Sequence, residues 1–559
     1  MGDNDYLIDP IKQVAENRGV DDVNALLSSS YDDVLSPLLL DNMEQAVKEV
    51  GNAIKDGKKI HIVVDSDADG VTSASILYLY LKDMGCKNIT WNCHEKKVHG
   101  IFLDELEGFD FDLLIIPDAG TNDAEQAKAL VDKGKRIIVL DHHEKEVENP
   151  YCLIVNPKTC NYPNKEISGA VVVYKFCEAM DDVYGFPFSG RYLDLASLGA
   201  IADMMDTRVP ETRFFCTYGI QNVNNKMFKA ILDKQQNKIG DKVTIQSIQF
   251  YVAPLINAVF RVGTKEELES LFTGFITTEN VEVDYKKRGA GVIKVPLQDD
   301  VARELVNIKA RQDRQKEKLV DVILKMASKI DDKILILNVS EVDNPEMLGL
   351  ISNEIANKLH KPTLIVKDSE KEPGMMKGSG RNYNKFSVTE LKSFLSDLPF
   401  ELLAGHENAF GVKIHKDNFQ TIVEGVVEKT KDIDTQEMYH VDFSMDGSAL
   451  TLSFVKMLDK HSNIWGTQFE EPYIHVKNLK GEDIVINEKQ TMISFTKGKI
   501  KYVLFHPKQE DIDALVNKTP TLEVIGRASI SRWNGEETPQ FVIDKYEVMC
   551  YNKDTSFWF

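Results

Sequence analysis

From residue 58 onward, short continuous apolar runs alternate with stretches of helical periodicity. KIHIVVD (59–65) strings β-branched residues together, as a strand buried on both faces does. Helical spacing follows from about Val71 to Met84. Further strand runs are FDLLIIPD (111–118), RIIVLD (136–141) and YCLIVN (151–156), with helical patterns at about 123–133 and 168–181 between them. Strands alternating with helices predict an α/β domain, a parallel sheet covered on both faces. Ahead of it, residues 1–57 read as short amphipathic helices with an acidic bias. Behind it, the charged stretch at 299–330 has apolar residues at helical spacing and no glycine or proline. It predicts a connecting helix between lobes. A second α/β section, KILILNV, MLGLISNEIANKLH and KPTLIVK, fills 331–433. After 434 the texture becomes short alternating segments with turns, such as YIHVKNL, TMISFTK and QFVIDKYEV, the pattern of a small all-β barrel or sandwich. The expected divisions are therefore 1–57, 58–298, 299–330, 331–433 and 434–559.

Composition narrows the class. The chain has 559 residues, 43% hydrophobic and 28% charged, with a net charge of 67 − 88 = −21. That is globular material for several domains. No apolar run of 18 residues appears, so no membrane span is expected. The opening MGDNDYLIDP is polar and acidic, unlike a secretory leader. Seven scattered cysteines form no CxxC pair, which fits a reducing cytoplasm and argues against a zinc or disulfide framework. The acidic balance argues mildly against nucleic acid, although local patches rather than totals decide binding.

Chemistry enters at the ends of the strand runs. The first ends in Asp65-Ser66-Asp67-Ala68-Asp69-Gly70, the second in Pro117-Asp118-Ala119-Gly120, and the third in Asp141-His142-His143-Glu144. Another acid, Asp203, lies in the helical ASLGAIADMMDTR. Ligands of open parallel sheets bind at the carboxyl ends of the strands, so these groups converge through the fold itself. Three like charges in one turn repel unless a cation offsets them. Oxygen donors with a minority of imidazole and no thiolate suit Mn²⁺ or Mg²⁺. Two such ions sharing a carboxylate, ~3.5–4 Å apart, favour in-line hydrolysis of a phosphoester or phosphoanhydride. Read alone, DSDADG also fits a turn or a helix N-cap, and the histidine pair fits a structural element.

DSDADG, PDAGTND, LDHHEKE and GAIADMMD resemble, in order, the four motifs of the DHH phosphoesterase superfamily. YVAPLINAVFRVG, MKGSGRNYNKFSVTELKSFL, LLAGHENAFGV, VDFSMDGSALTLSFVKMLDKHSNIWGTQFEEPYIHVKNL and ASISRWNGEETPQFVIDKYEV resemble RecJ, its single-strand-specific exonuclease branch, over about 35–550. The resemblance implies a DHH domain, a DHH-associated domain and an OB-type barrel. It implies a metal-dependent exonuclease that releases 5′-mononucleotides from the 5′ end of single-stranded DNA in repair, recombination or replication. Two ions, Mn²⁺ or Mg²⁺, would be held by Asp67 and Asp118 on one side and by Asp69, Asp118, His142 and Asp203 on the other, with Asp65 supporting or joining this shell. His143 would lie near the scissile phosphate, and Asp141 would orient an imidazole. Asn257, Arg261, Ser379, Arg381 and His406 would contact substrate phosphates, and KGSGR (377–381) would offer backbone N–H groups, a hydroxyl and a guanidinium as an anion cradle. Trp465 and Trp533 are candidates for base stacking, with a core role as the alternative. The expected state is a cytoplasmic monomer away from membranes, working with a single-strand-binding protein or a helicase. Ala404, Phe410 and Phe260 stand where the family carries smaller residues, and CHEKKVHGI (93–101) lacks the usual arginine-containing form. Two other readings remain: a phosphodiesterase of short oligonucleotides that uses the same metals, and a non-catalytic replication scaffold, against which the intact ligand set argues.

Overall fold

The computed structural model describes residues 9–20, 22–95, 97–287, 291–342, 347–466, 468–533 and 536–549. They form two compact units, one from residues up to 308 together with those from 441 onward, the other from 309–440.

In the first unit, β1 (Ile60–Val64), β2 (Ile89–Cys93), β3 (Leu113–Pro117), β4 (Arg136–Leu140) and β5 (Leu153–Val155) form one sheet in the order β2-β1-β3-β4-β5. Every neighbouring pair is parallel. The period of two divides each strand between two cores. Ile62, Val64, Leu113, Ile115, Ile138 and Leu140 join one cluster, and Val63, Leu114, Ile116, Ile137 and Val139 join the other. Helices Ala68–Asp83 and Gly169–Tyr184 pack on the first face, and Ala127 and Leu130 of helix Ala124–Val131 cover the second. This is the covered parallel sheet that the continuous apolar runs predict. The strand order changes direction between β1 and β3, which leaves a crevice at their carboxyl ends.

An antiparallel ribbon of β6 (Glu282–Lys287) and β7 (Gly291–Pro296) leads into helix Leu297–Ala327, 31 residues long. The second unit carries β8 (Leu335–Asn338), β9 (Thr363–Asp368), β10 (Met375–Arg381), β11 (Leu402–His406) and β12 (Ala409–His415) in the order β11-β12-β10-β9-β8. Only β8 and β9 run parallel within it.

The chain then returns to the first unit. Strands β13 (Phe443–Asp446), β14 (Ile474–Lys480), β15 (Val485–Ile486), β16 (Met492–Lys497), β17 (Ile500–Phe505), β18 (Thr521–Trp533) and β19 (Glu536–Val548) make a seven-stranded mixed sheet. Its order is β13-β14-β18-β19-β17-β16-β15. Trp465 is 1% exposed and stacks on Phe469 with ring centroids 5.3 Å apart, so it belongs to this core. The side chain of Trp533 lies outside the described residues.

The N-terminal segment packs against this distant β domain. Ile11, Val14, Ala15 and Leu26 share one core with Phe454, Val476 and Phe541. Arg18 pairs with Asp442 through Nε (3.1 Å) and Nη2 (2.8 Å), and lies over the Phe469 ring. Further along, Tyr31 donates to Glu178 of helix Gly169–Tyr184 at 2.7 Å. No helix among the described residues is long and apolar enough to cross a membrane.

Candidate metal centre

β1 runs out at Val64, and the next residues turn into helix Ala68–Asp83. Asp67 is the N-cap of that helix and accepts from the Gly70 N–H at 3.0 Å. Asp69, in the first turn, points across to a second helix start. It accepts from Ser168 Oγ (2.9 Å), Gly169 N–H (2.7 Å) and Ala170 N–H (3.1 Å), the first groups of helix Gly169–Tyr184. A helix N-terminus stabilises a carboxylate placed there.

Asp118 follows β3 with φ +67°, in the left-handed region that aspartate tolerates better than most residues. Its N–H donates to Leu140 O at 2.8 Å, tying the turn to β4. Asp141 follows β4 and is surrounded by donors: Thr121 N–H (3.1 Å), His142 N–H (2.7 Å), and His143 through N–H (3.2 Å) and Nδ1 (2.8 Å). His142 Nε2 lies 3.3 Å from Asp118 Oδ1, 3.4 Å from Asp203 Oδ2 and 3.9 Å from Asp69 Oδ2. Asp203 reaches this point from the C-terminal end of helix Leu193–Ala202. The carboxylates are approached so closely that side chains are excluded next to them. A Cβ on Gly169 would collide with Asp118, and one on Gly199 with Asp69.

Electrostatics shows what such a site requires. Burial, and then the neighbouring charge of Asp67, push the Asp69 carboxyl up to about 6. Asp118 and Asp203 are driven well above the usual carboxylate range by burial and by Asp69 and Asp67. Burial lowers His142 to about 3, with His143 adding to the effect. A cation placed beside such acids favours their charged forms. Asp118 Oδ1 makes no hydrogen bond although it is buried. Ligand atoms of Asp69, His142 and Asp203 lie within 4.8 Å of one another, as do those of Asp118, His142 and His143, and those of Asp65, Asp67 and His99. The donors are oxygen and imidazole, a set that fits Mn²⁺ or Mg²⁺.

His143 differs from its neighbour. Burial would lower it, but the hydrogen bond and charge of Asp141 outweigh burial and raise it to about 9. Asp141 is held below the usual range, because His143 overcomes the effect of burial. Asn257 Oδ1 accepts from Ala68 N–H at 3.0 Å, which ties helix Ala253–Val262 to the turn after β1. Arg261 lies on the same helix. Its desolvation lowers its pKa, with the charge of Asp67 opposing.

Sequence reading missed His99 and His94. His99 Nδ1 meets Asp65 Oδ2 at 2.5 Å, and Gly100 N–H donates to Asp65 Oδ1 at 3.3 Å. His94 is buried, with Nδ1 2.5 Å from Glu105 Oε2 and Nε2 3.9 Å from Asp65 Oδ1. The available signal was position: both follow β2, the neighbour of β1 on the sheet edge that carries the acids.

In the second unit, Ser379 and Arg381 lie on β10 and an exposed His406 ends β11. The expected backbone cradle does not form there. β10 is paired along its length to both β9 and β12, so ladder bonds engage its N–H groups. The side chains gather at a helix start instead: a Cβ on Gly349, in the first turn of helix Leu348–Leu359, would stand 2.8 Å from Arg381 Nη2 and 3.5 Å from Ser379 Oγ. Two of the departing residues, Phe260 and Phe410, are accommodated in cores. Phe260 is 5% exposed, and Phe410 lies over Gly380, its cross-strand partner.

Residues 59–200 match the DHH family, N-terminal domain, and residues 441–545 match the RecJ OB domain. The chain is 35% identical over 98% of both chains to a SPbeta prophage-derived protein of Bacillus subtilis (strain 168), named as a candidate single-strand DNA-specific exonuclease. It is 24% identical to the single-stranded-DNA-specific exonuclease RecJ of the same organism, over 91% of this chain and 64% of that one. The fold is that of the Thermus thermophilus RecJ crystallised with Mn²⁺, with TM-score 0.71 and 20% identity over 96% of this chain and 75% of that one. The same protein crystallised with Mg²⁺ matches at TM-score 0.66 and 19% identity, over 96% and 74%.

Proposed function

The chain belongs to the RecJ family of the DHH superfamily, and from that premise we propose that it degrades single-stranded DNA from the 5′ end, releasing 5′-mononucleotides. The observation that carries the reading is His142 Nε2 within 3.3–3.9 Å of carboxylate oxygens from Asp118, Asp203 and Asp69 at the carboxyl edge of the parallel sheet.

Asp67, Asp69, Asp118, His142 and Asp203 would hold two divalent cations, Mn²⁺ or Mg²⁺, with Asp65 and His99 supporting Asp67. The bound ions supply Lewis acidity toward a phosphoryl oxygen and lower the pKa of water. The chain's own groups do the rest. Helix N-termini at Gly70 and Gly169 fix Asp67 and Asp69 before substrate arrives, so little reorganisation accompanies the reaction. Asp141 holds His143 Nδ1 and keeps the imidazole protonated, which leaves Nε2 to neutralise the scissile phosphate or protonate the leaving oxygen. Asn257 and Arg261 in the first unit bind strand phosphates, as do Ser379, Arg381 and His406 in the second. The C-terminal β domain supplies a groove for the unpaired strand. The activity serves repair, recombination or replication in the cytoplasm, where a single-strand-binding protein or helicase delivers the strand to a monomeric enzyme.

The test is one gel. Single strands labelled at the 5′ or 3′ end are incubated with the protein and Mn²⁺. The 5′ label is expected to appear at once as mononucleotide while the 3′ label shortens gradually. The reverse pattern overturns the polarity, and intact strands overturn the nuclease reading.

A further inference from the structure

The helix that brings Asn257 to the metal centre begins with an irregularity. A single turn, Ile245–Ser247, is followed by a π-helical turn, Ile248–Val252, and only then by the regular helix Ala253–Val262. Pro254 accounts for it. Proline has no N–H to offer the carbonyl four residues back, that of Phe250, and its ring crowds that carbonyl. The backbone widens instead. Such turns recur at functional sites because they re-aim side chains.

The widened turn presents Phe250, which is 68% exposed, beside Tyr251 at 37%. A lone exposed ring carries no meaning. This one heads a stripe. Pro254, Asn257 and Arg261 follow at helical spacing and are partly exposed, whereas Val252, Ala253, Leu255, Ile256, Ala258, Val259 and Phe260 between them are buried. The solvent-facing side of the helix thus runs from an aromatic ring to the two groups expected to hold phosphates. At its other end the segment abuts the C-terminal β domain, where a Cβ on Gly466 would lie 3.2 Å from Ile245. A cation flanks the aromatics, with Lys238 Nζ 5.9 Å from the Tyr251 ring centre.

We propose that Phe250 is a base-stacking step on the track by which a single strand reaches the metal centre. The occupant is an unpaired nucleic-acid base. An exposed ring, a flanking lysine and continuity with phosphate-binding groups are what a single-strand platform combines. Spacing sets which base. Seven residues separate Phe250 from Asn257, about 10 Å of helix. A stacked strand advances ~3.4 Å per nucleotide, so the stacked base lies about three nucleotides from the phosphate at Asn257. The proposal rests on the exonuclease reading above and adds a length dependence to it.

The experiment compares wild type, Phe250→Ala and Phe250→Trp on thymidine oligomers from a dinucleotide to about 16 nucleotides, with Mn²⁺, reading KM and kcat separately. For F250A, the KM increase on the longest strand is expected to exceed that on the dinucleotide by roughly 5- to 150-fold, and F250W is expected to restore it. An equal effect at every length, or none at any, overturns the platform. If wild type cleaves none of the oligomers, the exonuclease reading fails by itself. Fluorescence anisotropy of a labelled 16-mer without divalent cation then decides: a comparable loss of affinity in F250A supports the platform, and equal affinity overturns it. Sedimentation of the same proteins covers the competing occupant, because a dimer that F250A dissociates would assign this face to self-association and overturn the proposal.

Discussion

The parallel sheet β1–β5 and the mixed sheet β8–β12 present polar groups in opposite ways. In the first, reactive side chains leave the ends of strands, where backbone N–H groups of Gly70, Thr121, His142 and Gly169 are free of ladder bonds and turn to carboxylates. Charge is concentrated and buried, and its stability depends on a cation from outside. In the second, Lys377, Ser379 and Arg381 lie along one face of a strand paired on both sides, and its Ser379 and Gly380 carbonyls accept from Ser352 Oγ and Arg381 Nη1. Those groups are at least partly exposed and stable without a ligand. One region concentrates buried charge at strand ends, and the other carries polar groups on an ordinary strand.

The largest effect that would test this contrast is at Asp118. Asp118→Asn is expected to reduce cleavage by about 10³-fold or more, yet to raise the melting temperature of the metal-free protein. The pH dependence has a definite sign. Burial and the charges of Asp69 and Asp67 raise the Asp118 carboxyl, so the wild type takes up a proton there as pH falls and regains stability, whereas asparagine does not titrate. The variant's advantage is therefore greatest above the raised Asp118 pKa and shrinks as pH falls through it. Melting curves with and without Mn²⁺ check it, and a variant no more stable than wild type at the higher pH would break the contrast.

Next is the packing that holds the second sheet. Phe410→Ala removes the ring lying over Gly380 and is expected to cost about 3–5 kcal/mol. Denaturant unfolding reads the loss, and the Mn²⁺-induced stabilisation is expected to persist. The smallest effect sharpens the comparison. Arg381→Ala is expected to raise KM for single strands about 10- to 100-fold, from losing charge-assisted hydrogen bonds, with little change in kcat and none in metal-induced stabilisation. A comparable fall in kcat would move Arg381 into the reacting centre.

The same contrast explains what the sequence made legible. β-Branched runs ending in Asp65, Asp118 and Asp141 announce a parallel sheet and the edge on which it gathers its acids, because strand and turn are both local. KGSGR looks like a loop, since two glycines among polar residues are the usual mark of a turn. Its glycines answer to partners far away in sequence: a Cβ on Gly378 would enter the Ile365 backbone, and one on Gly380 the Phe410 ring. No local pattern carries that information. His99 was hidden for a related reason, since only the pairing of β2 beside β1 gives it a place at Asp65. Phe260 and Phe410 stood out against the family pattern but are buried side chains with nearby partners.

The docking of Ile11, Val14 and Ala15 among residues as late as Phe541 imposes an order on biosynthesis. Translation at about 5–20 residues per second separates the emergence of these two regions by roughly half a minute to two minutes. During that interval the apolar face of helix Pro10–Asn17 waits for the later members of its core. A helix near residue 11 thus finds its packing partners only after several hundred further residues have been made.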